Sequence, residues 1–212
     1  MRPALLVALL LSTTATAISL TNVASRKDHA VAGTFDLPIA ATPSANGGVT
    51  VEPRAIGAGH LIIFTFDEAV TSPGMATAVD AGNALIGKVS APVMMGNEVH
   101  VTIADVPDRR QVKVSLMGVT GASGMTNASA TMGFLIGDFN DSGAVTSPDG
   151  SAGKARAGRA VDAGSFRFDI NASGVVSAAD IAATKSRVGL SMATGSLPLK
   201  WHQGGWDLDV WQ

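Results

Sequence analysis

The chain has no cysteine and no tyrosine, and aromatic residues make up only 5% of its 212 positions. Without cysteine, neither disulfide staples nor thiolate chemistry is open to it. Charge is sparse too: 15 Lys and Arg stand against 17 Asp and Glu, for a formal net charge of -2. No basic excess calls for nucleic acid or an anionic membrane surface. Apolar runs are short. The first, Ala4 to Leu11, follows Arg2 and precedes Ala15-Thr16-Ala17. That order of charge, apolar stretch and small-residue cleavage site is an export signal, too short to span a bilayer. Residues 1–17 are therefore expected to be a signal peptide and 18–24 a linker. The product is expected to be secreted or held at the cell surface, with no membrane span.

Glycine is abundant, with 24 residues, and 46% of the chain is hydrophobic. This balance predicts turn-rich β structure more than a helical bundle. Candidate strands cover 35–39, 49–52, 61–66, 75–79, 98–103, 112–117 and 131–136, divided by Gly, Pro, Asn and Asp. Val99, Val101 and Ile103 alternate with His100 and Thr102, and Val112, Val114 and Leu116 with Lys113 and Ser115. Period two gives each strand one apolar face. About seven strands at this spacing predict an immunoglobulin-like sandwich over 25–136.

Catalytic patterns are weak in that region. Glycoside hydrolysis needs two carboxylates facing across a cleft, whereas Asp67, Glu68, Glu98, Asp105 and Asp108 fall at predicted strand ends or turns. His29, His60, His100 and His202 have no metal-ligand spacing, and no G-x-S-x-G elbow occurs. The chain is expected not to be an enzyme.

The most specific feature is a twelve-residue pattern that occurs twice, the second copy 31 positions after the first. Asp138, Asn140 and Ser142 stand at positions 1, 3 and 5 of the first copy, and Asp169, Asn171 and Ser173 in the second. Gly143 and Gly174 follow at 6, Val145 and Val176 at 8, hydroxyls Thr146 and Ser177 at 9, and Asp149 and Asp180 at 12. A hard cation needs six to eight oxygens, and a chain supplies them by curling so that alternate side chains point inward. Glycine at 6 allows the sharp turn, and the carbonyl at 7, from Ala144 or Val175, completes the set. Two calcium ions are thus the predicted cofactors. Each loop brings two carboxylates, so dissociation constants of about micromolar to millimolar are expected. Asp141 and Asp162 lie off the ligand positions and are expected to be solvated. Asn127, Asn140 and Asn171 each open an N-x-S sequon, the latter two better explained as ligands. Ser147 and Ser177 are expected to cap the helices that follow, with Pro148 in the first turn. Gly150, Gly153 and Gly158 weaken the first of them by roughly 1 kcal/mol each.

The repeat continues past the loops: Ala152 matches Ala183, Lys154 matches Lys185, Arg156 matches Arg187 and Gly158 matches Gly189. With Asp at position 12 and Lys at 17, residues 137–190 resemble a type I dockerin, the calcium-dependent docking module of secreted bacterial polysaccharide-degrading systems. The stretch before it resembles the small β-sandwich modules that precede such pairs, through Ser25-Arg26-Lys27, residues 32–38, the run 61–66, and 112–119 leading into Gly137-Asp138. The resemblance implies a small all-α domain behind the sandwich, two bound calcium ions, and a cohesin-type partner. It carries over partner contacts to Lys154 and Lys185, and to loop positions 10 and 11, which are Ser147 and Pro148 in one half and Ala178 and Ala179 in the other. The bland alternative is a solvated helix face.

The expected whole is a two-part protein, sandwich then all-α domain, acting as a non-catalytic adaptor for extracellular polysaccharide catabolism. A calcium-stabilised structural protein, or a carbohydrate-binding one with a polysaccharide partner, stays open beside it. Residues 191–212 hold all three tryptophans, Trp201, Trp206 and Trp211, and are expected to be a disordered tail.

Overall fold

The structure is a computed structural model that describes residues 17–40 and 48–193. The expected signal peptide up to residue 16 and the tryptophan-bearing tail from 194 onward lie outside the described residues.

Among the described residues, eleven strands form two sheets. They are β1 (Leu20–Asp28), β2 (Thr34–Pro38), β3 (Thr50–Glu52), β4 (His60–Phe66), β5 (Val70–Ser72), β6 (Met75–Asp80), β7 (Lys88–Val89), β8 (Val93–Met95), β9 (Glu98–Ala104), β10 (Arg110–Gly121) and β11 (Gly124–Phe134). One sheet has the order β2-β1-β4-β9-β7, with β8 also on β9; the other has β3-β11-β10-β5, with β6 also on β10. Alternation decides which side chains face inward. In β9, Val99, Val101 and Ile103 are fully buried, and in β10 Val112, Val114 and Leu116 are. Ile62 and Phe64 join the first set and Ala130 and Met132 the second, in one core between the sheets. Full burial of such side chains contributes about 1.5–3 kcal/mol each.

Each of the seven candidate stretches overlaps a strand, namely β2, β3, β4, β6, β9, β10 and β11, with residues 39, 49, 135 and 136 falling outside them. β1, β5, β7 and β8 were not anticipated. β1 takes in most of the expected linker 18–24 and sits inside its sheet, paired to β2 and to β4. Its sequence, LTNVASRKD, is polar on both faces, so period two does not reveal it; its backbone is held from either side.

The expected division into an immunoglobulin-like sandwich and a separate all-α domain is overturned. The described protein is mostly β, with two sheets and two α-helices of eight residues each, α1 (Ser147–Lys154) and α2 (Ala178–Lys185). The helices are too short and too poor in large apolar residues to build a core of their own. α1 reads SPDGSAGK. The apolar residues of the C-terminal segment pack against the sandwich instead. Phe139, Val161, Phe166, Phe168, Ile170 and Val176 cluster with Leu37, and Phe35 and Ala55 lie against them. Val145 packs with Val51 and Leu135. Phe35 of β2 stacks on Phe166 at 5.5 Å between ring centres.

Candidate functional site

Both twelve-residue loops curl alike. Gly143 and Gly174 take left-handed φ values of 77° and 89°, the conformation that position 6 requires. In the first loop Asp138 Oδ1 accepts the Ser142 amide at 3.2 Å and Oδ2 the Gly143 amide at 2.8 Å. In the second Asp169 accepts from Ser173 at 3.0 Å and Gly174 at 2.8 Å. The Ser142 and Ser173 hydroxyls donate to the position-7 carbonyls of Ala144 and Val175.

Position 12 closes each loop. Asp149 Oδ2 accepts from the Thr146 amide and hydroxyl, and its Oδ1 from the Phe139 amide at 3.0 Å. Asp180 does the same for Ser177 and Asn171. These contacts are also the capping boxes of α1 and α2, so each helix begins on a loop carboxylate. The N-cap of α1 is Thr146 and not, as expected, Ser147, which lies one position inside the helix; Ser177 caps α2 as anticipated.

The two loops support one another. Val145 exchanges backbone hydrogen bonds with 189–190, just after α2, and Val176 with 158–159, just after α1. The two pairings are related by the same offset as the sequence repeat. The Met192 amide donates to Gly143 O and the Ala193 amide to Arg109 O, so residues 191–193 at the start of the expected tail are held against the first loop and the sandwich.

Asp138, Asp149, Asp169 and Asp180 are buried, whereas Asn140, Ser142, Asn171 and Ser173 are exposed. Each loop is thus a cup with carboxylates at its base and neutral oxygens at its mouth. Among the described residues no Lys, Arg or His pairs with Asp138 or Asp149. Burial raises the Asp138 carboxyl, and the negative charge of Asp149 adds to this against the loop amides. Two buried like charges with neutral oxygens above them suit a hard divalent cation. Among the described residues no group of three or more His, Asp or Glu is placed to hold a metal ion.

Loop two has a side-chain donor that loop one lacks. His29, in the β1–β2 connection, places Nδ1 2.8 Å from Asp169 Oδ2, both side chains fully buried. Burial would raise Asp169, but the His29 hydrogen bond, helped by the Gly174 and Ser173 amides, brings it below its ordinary value. The scattered histidines carried no spacing in the sequence, and 140 positions separate this pair. Loop one is fastened by another residue. Asp141, expected to be solvated, accepts the Val51 amide at 2.7 Å and pairs with Arg167 at 2.6 Å. Asp162 closes a local turn onto Gly164 and Ser165.

Of the residues assigned to a partner, Lys154, Ala178 and Lys185 line an open groove of about 640 Å³ between the helices, with Ile181 and Ala182. Ser147, Pro148 and Ala179 are exposed nearby on the first turns of the helices. The acids weighed for catalysis are dispersed: Glu68 binds Ser123, Glu98 pairs with His100, Asp105 with Lys88 and Asp108 with Arg187.

Fold and site together define a two-sheet β protein carrying paired, oxygen-lined loops. No protein-family model matches the chain, and no curated protein matches it. No helix among the described residues is long and apolar enough to cross a membrane.

Proposed function

We propose that this chain is an exported, non-catalytic calcium-binding protein in which loops 138–149 and 169–180 each take one ion and thereby fix the C-terminal segment on the sandwich. The observation that carries the proposal is the pair of buried carboxylates in each loop, set beneath exposed Asn and Ser oxygens. Asp138 and Asp149 would hold the first ion with Asn140, Ser142, the Ala144 carbonyl and Thr146. Asp169 and Asp180 would hold the second with Asn171, Ser173, the Val175 carbonyl and Ser177. Calcium supplies the positive charge these buried groups need, and the chain's own turns, caps and packing set its place. With only two carboxylates per loop, affinity falls at about micromolar to millimolar, so the sites stay filled outside cells and serve as structure.

Calorimetric titration with calcium chloride tests this directly. The parent should take two ions, and Asp138→Ala and Asp169→Ala one each; no heat at millimolar calcium would refute the proposal.

The groove between α1 and α2 favours a second reading, in which a protein partner of cohesin type docks there. Lys154 and Lys185 occupy equivalent places in the two halves of that groove. Capture of a purified cohesin that is lost with chelator and with Lys154→Glu/Lys185→Glu supports docking, and failure to bind in calcium removes it.

A further inference from the structure

We propose that His29 is a positioning residue of the second loop's metal site, so that this site is shared between the sandwich and the C-terminal segment while the first is not. The proposal rests on the calcium reading given above.

Its basis is a difference between two otherwise matched carboxylates. Asp138 and Asp169 hold equivalent loop positions and accept the same two backbone amides. Asp169 Oδ2 has one further donor, the His29 ring. The direction of that hydrogen bond is fixed from behind. Arg54 Nη1 lies 3.2 Å from His29 Nε2, and a guanidinium can only donate. Nε2 is therefore the acceptor, and Nδ1 carries the hydrogen that goes to Asp169. Arg54 is itself held by Glu52, through its Nε at 2.7 Å and its Nη2 at 2.8 Å.

The ring is gripped on its flanks as well. Phe35 and Phe166 meet it edge-on at 5.5 and 6.3 Å, and the Arg54 guanidinium stands over Phe166. Below the ring, the His29 carbonyl lies so close to Gly174 that a Cβ there would come within 2.8 Å of it. Sandwich and loop thus meet without a gap at the residue that opens the second cage. The first loop is docked instead through Asp141, at position 4, which is not a ligand position. A donor that orients a ligating carboxylate commonly changes metal affinity 10–100-fold when removed. His29 should therefore set the affinity of loop two and leave that of loop one alone.

The test uses calorimetric titration of the full chain with calcium chloride, in two backgrounds. Asp138→Ala isolates loop two, and Asp169→Ala isolates loop one. In the first background, His29→Ala and His29→Gln should weaken binding by about 10–100-fold, and His29→Asn should recover much of the loss. The asparagine amide N–H occupies the place of Nδ1–H, whereas the glutamine amide extends to the place of Nε2. In the Asp169→Ala background all three variants should bind as their parent does. Equal affinities for His29→Asn and His29→Gln in loop two, or equal losses in both loops, overturn the positioning role. Both polar variants keep the site occupied by an amide, so this comparison does not depend on His29→Ala folding. A parent chain that takes no calcium fails at the earlier proposal, a result distinct from a parent that takes two ions and ignores position 29.

Discussion

Glu52 is fully buried and pairs with Arg54, also fully buried, while Ser25 donates to its second oxygen. His60 stands 3.5 Å away, and neither of its ring nitrogens has a hydrogen-bond partner among the described residues. Burial drives His60 down to about 4, so the ring is neutral at pH 7. Burial alone would raise Glu52, but the positive charges facing it, His60 when protonated and Arg54, pull it to about 2. For both groups the unfolded chain takes up the proton first as pH falls. The stability that these two groups contribute is therefore full above pH 6.5, declines toward pH 4 as His60 titrates, and declines further between 4.5 and 2 through Glu52. The His60 part is on the order of 3 kcal/mol. Urea midpoints should fall across that range, and His60→Leu should flatten the span from pH 6.5 to 4. Removing one partner of the buried pair is harsher: Arg54→Met leaves the Glu52 charge without its guanidinium, and should lower unfolding stability by about 3–5 kcal/mol. None of this network was legible in the sequence, where Ser25, Glu52, Arg54 and His60 look like ordinary polar residues and only the closing of two sheets over them makes them a unit.

At the scale of elements, the repeat predicts equality and the structure breaks it. Alanine at Gly143 or Gly174 meets the same left-handed backbone, worth about 1–2 kcal/mol. At Gly143 the new methyl would find only Met192 Cγ at 3.9 Å, but at Gly174 it strikes the His29 carbonyl. Gly174→Ala should therefore cost about 1–3 kcal/mol more than Gly143→Ala, as paired melting curves would show. The loops themselves were legible because ligand spacing is local: twelve consecutive residues carry the whole pattern. β9 and β10 were legible because alternation is local too. β1 was not, since a strand with polar residues on both faces is specified by its neighbours, β2 and β4, and not by its own pattern. The Asp141–Arg167 clasp and the His29–Asp169 contact were hidden for the same reason.

Taken whole, the molecule shares its cores. Leu37 and Val51 of the sandwich are buried by residues of the C-terminal segment, so the two parts should melt together. Scanning calorimetry should give one endotherm for the full chain, and calcium should move all of it upward, by about 2.7 kcal/mol per site at a hundredfold excess over the dissociation constant. Two separate endotherms, only one of them calcium-sensitive, would contradict a shared core. The sequence by itself determined the strands that alternate cleanly, such as β9 and β10, and the curl of both loops, because periodicity, glycine placement and ligand spacing act over a few residues. Only the tertiary structure decided that the segment after Gly137 lies on the sandwich instead of forming a helical domain. Its short helices bury too little apolar surface to stand alone, while Phe35, Leu37 and Val51 offer what Phe166, Phe168 and Val145 need.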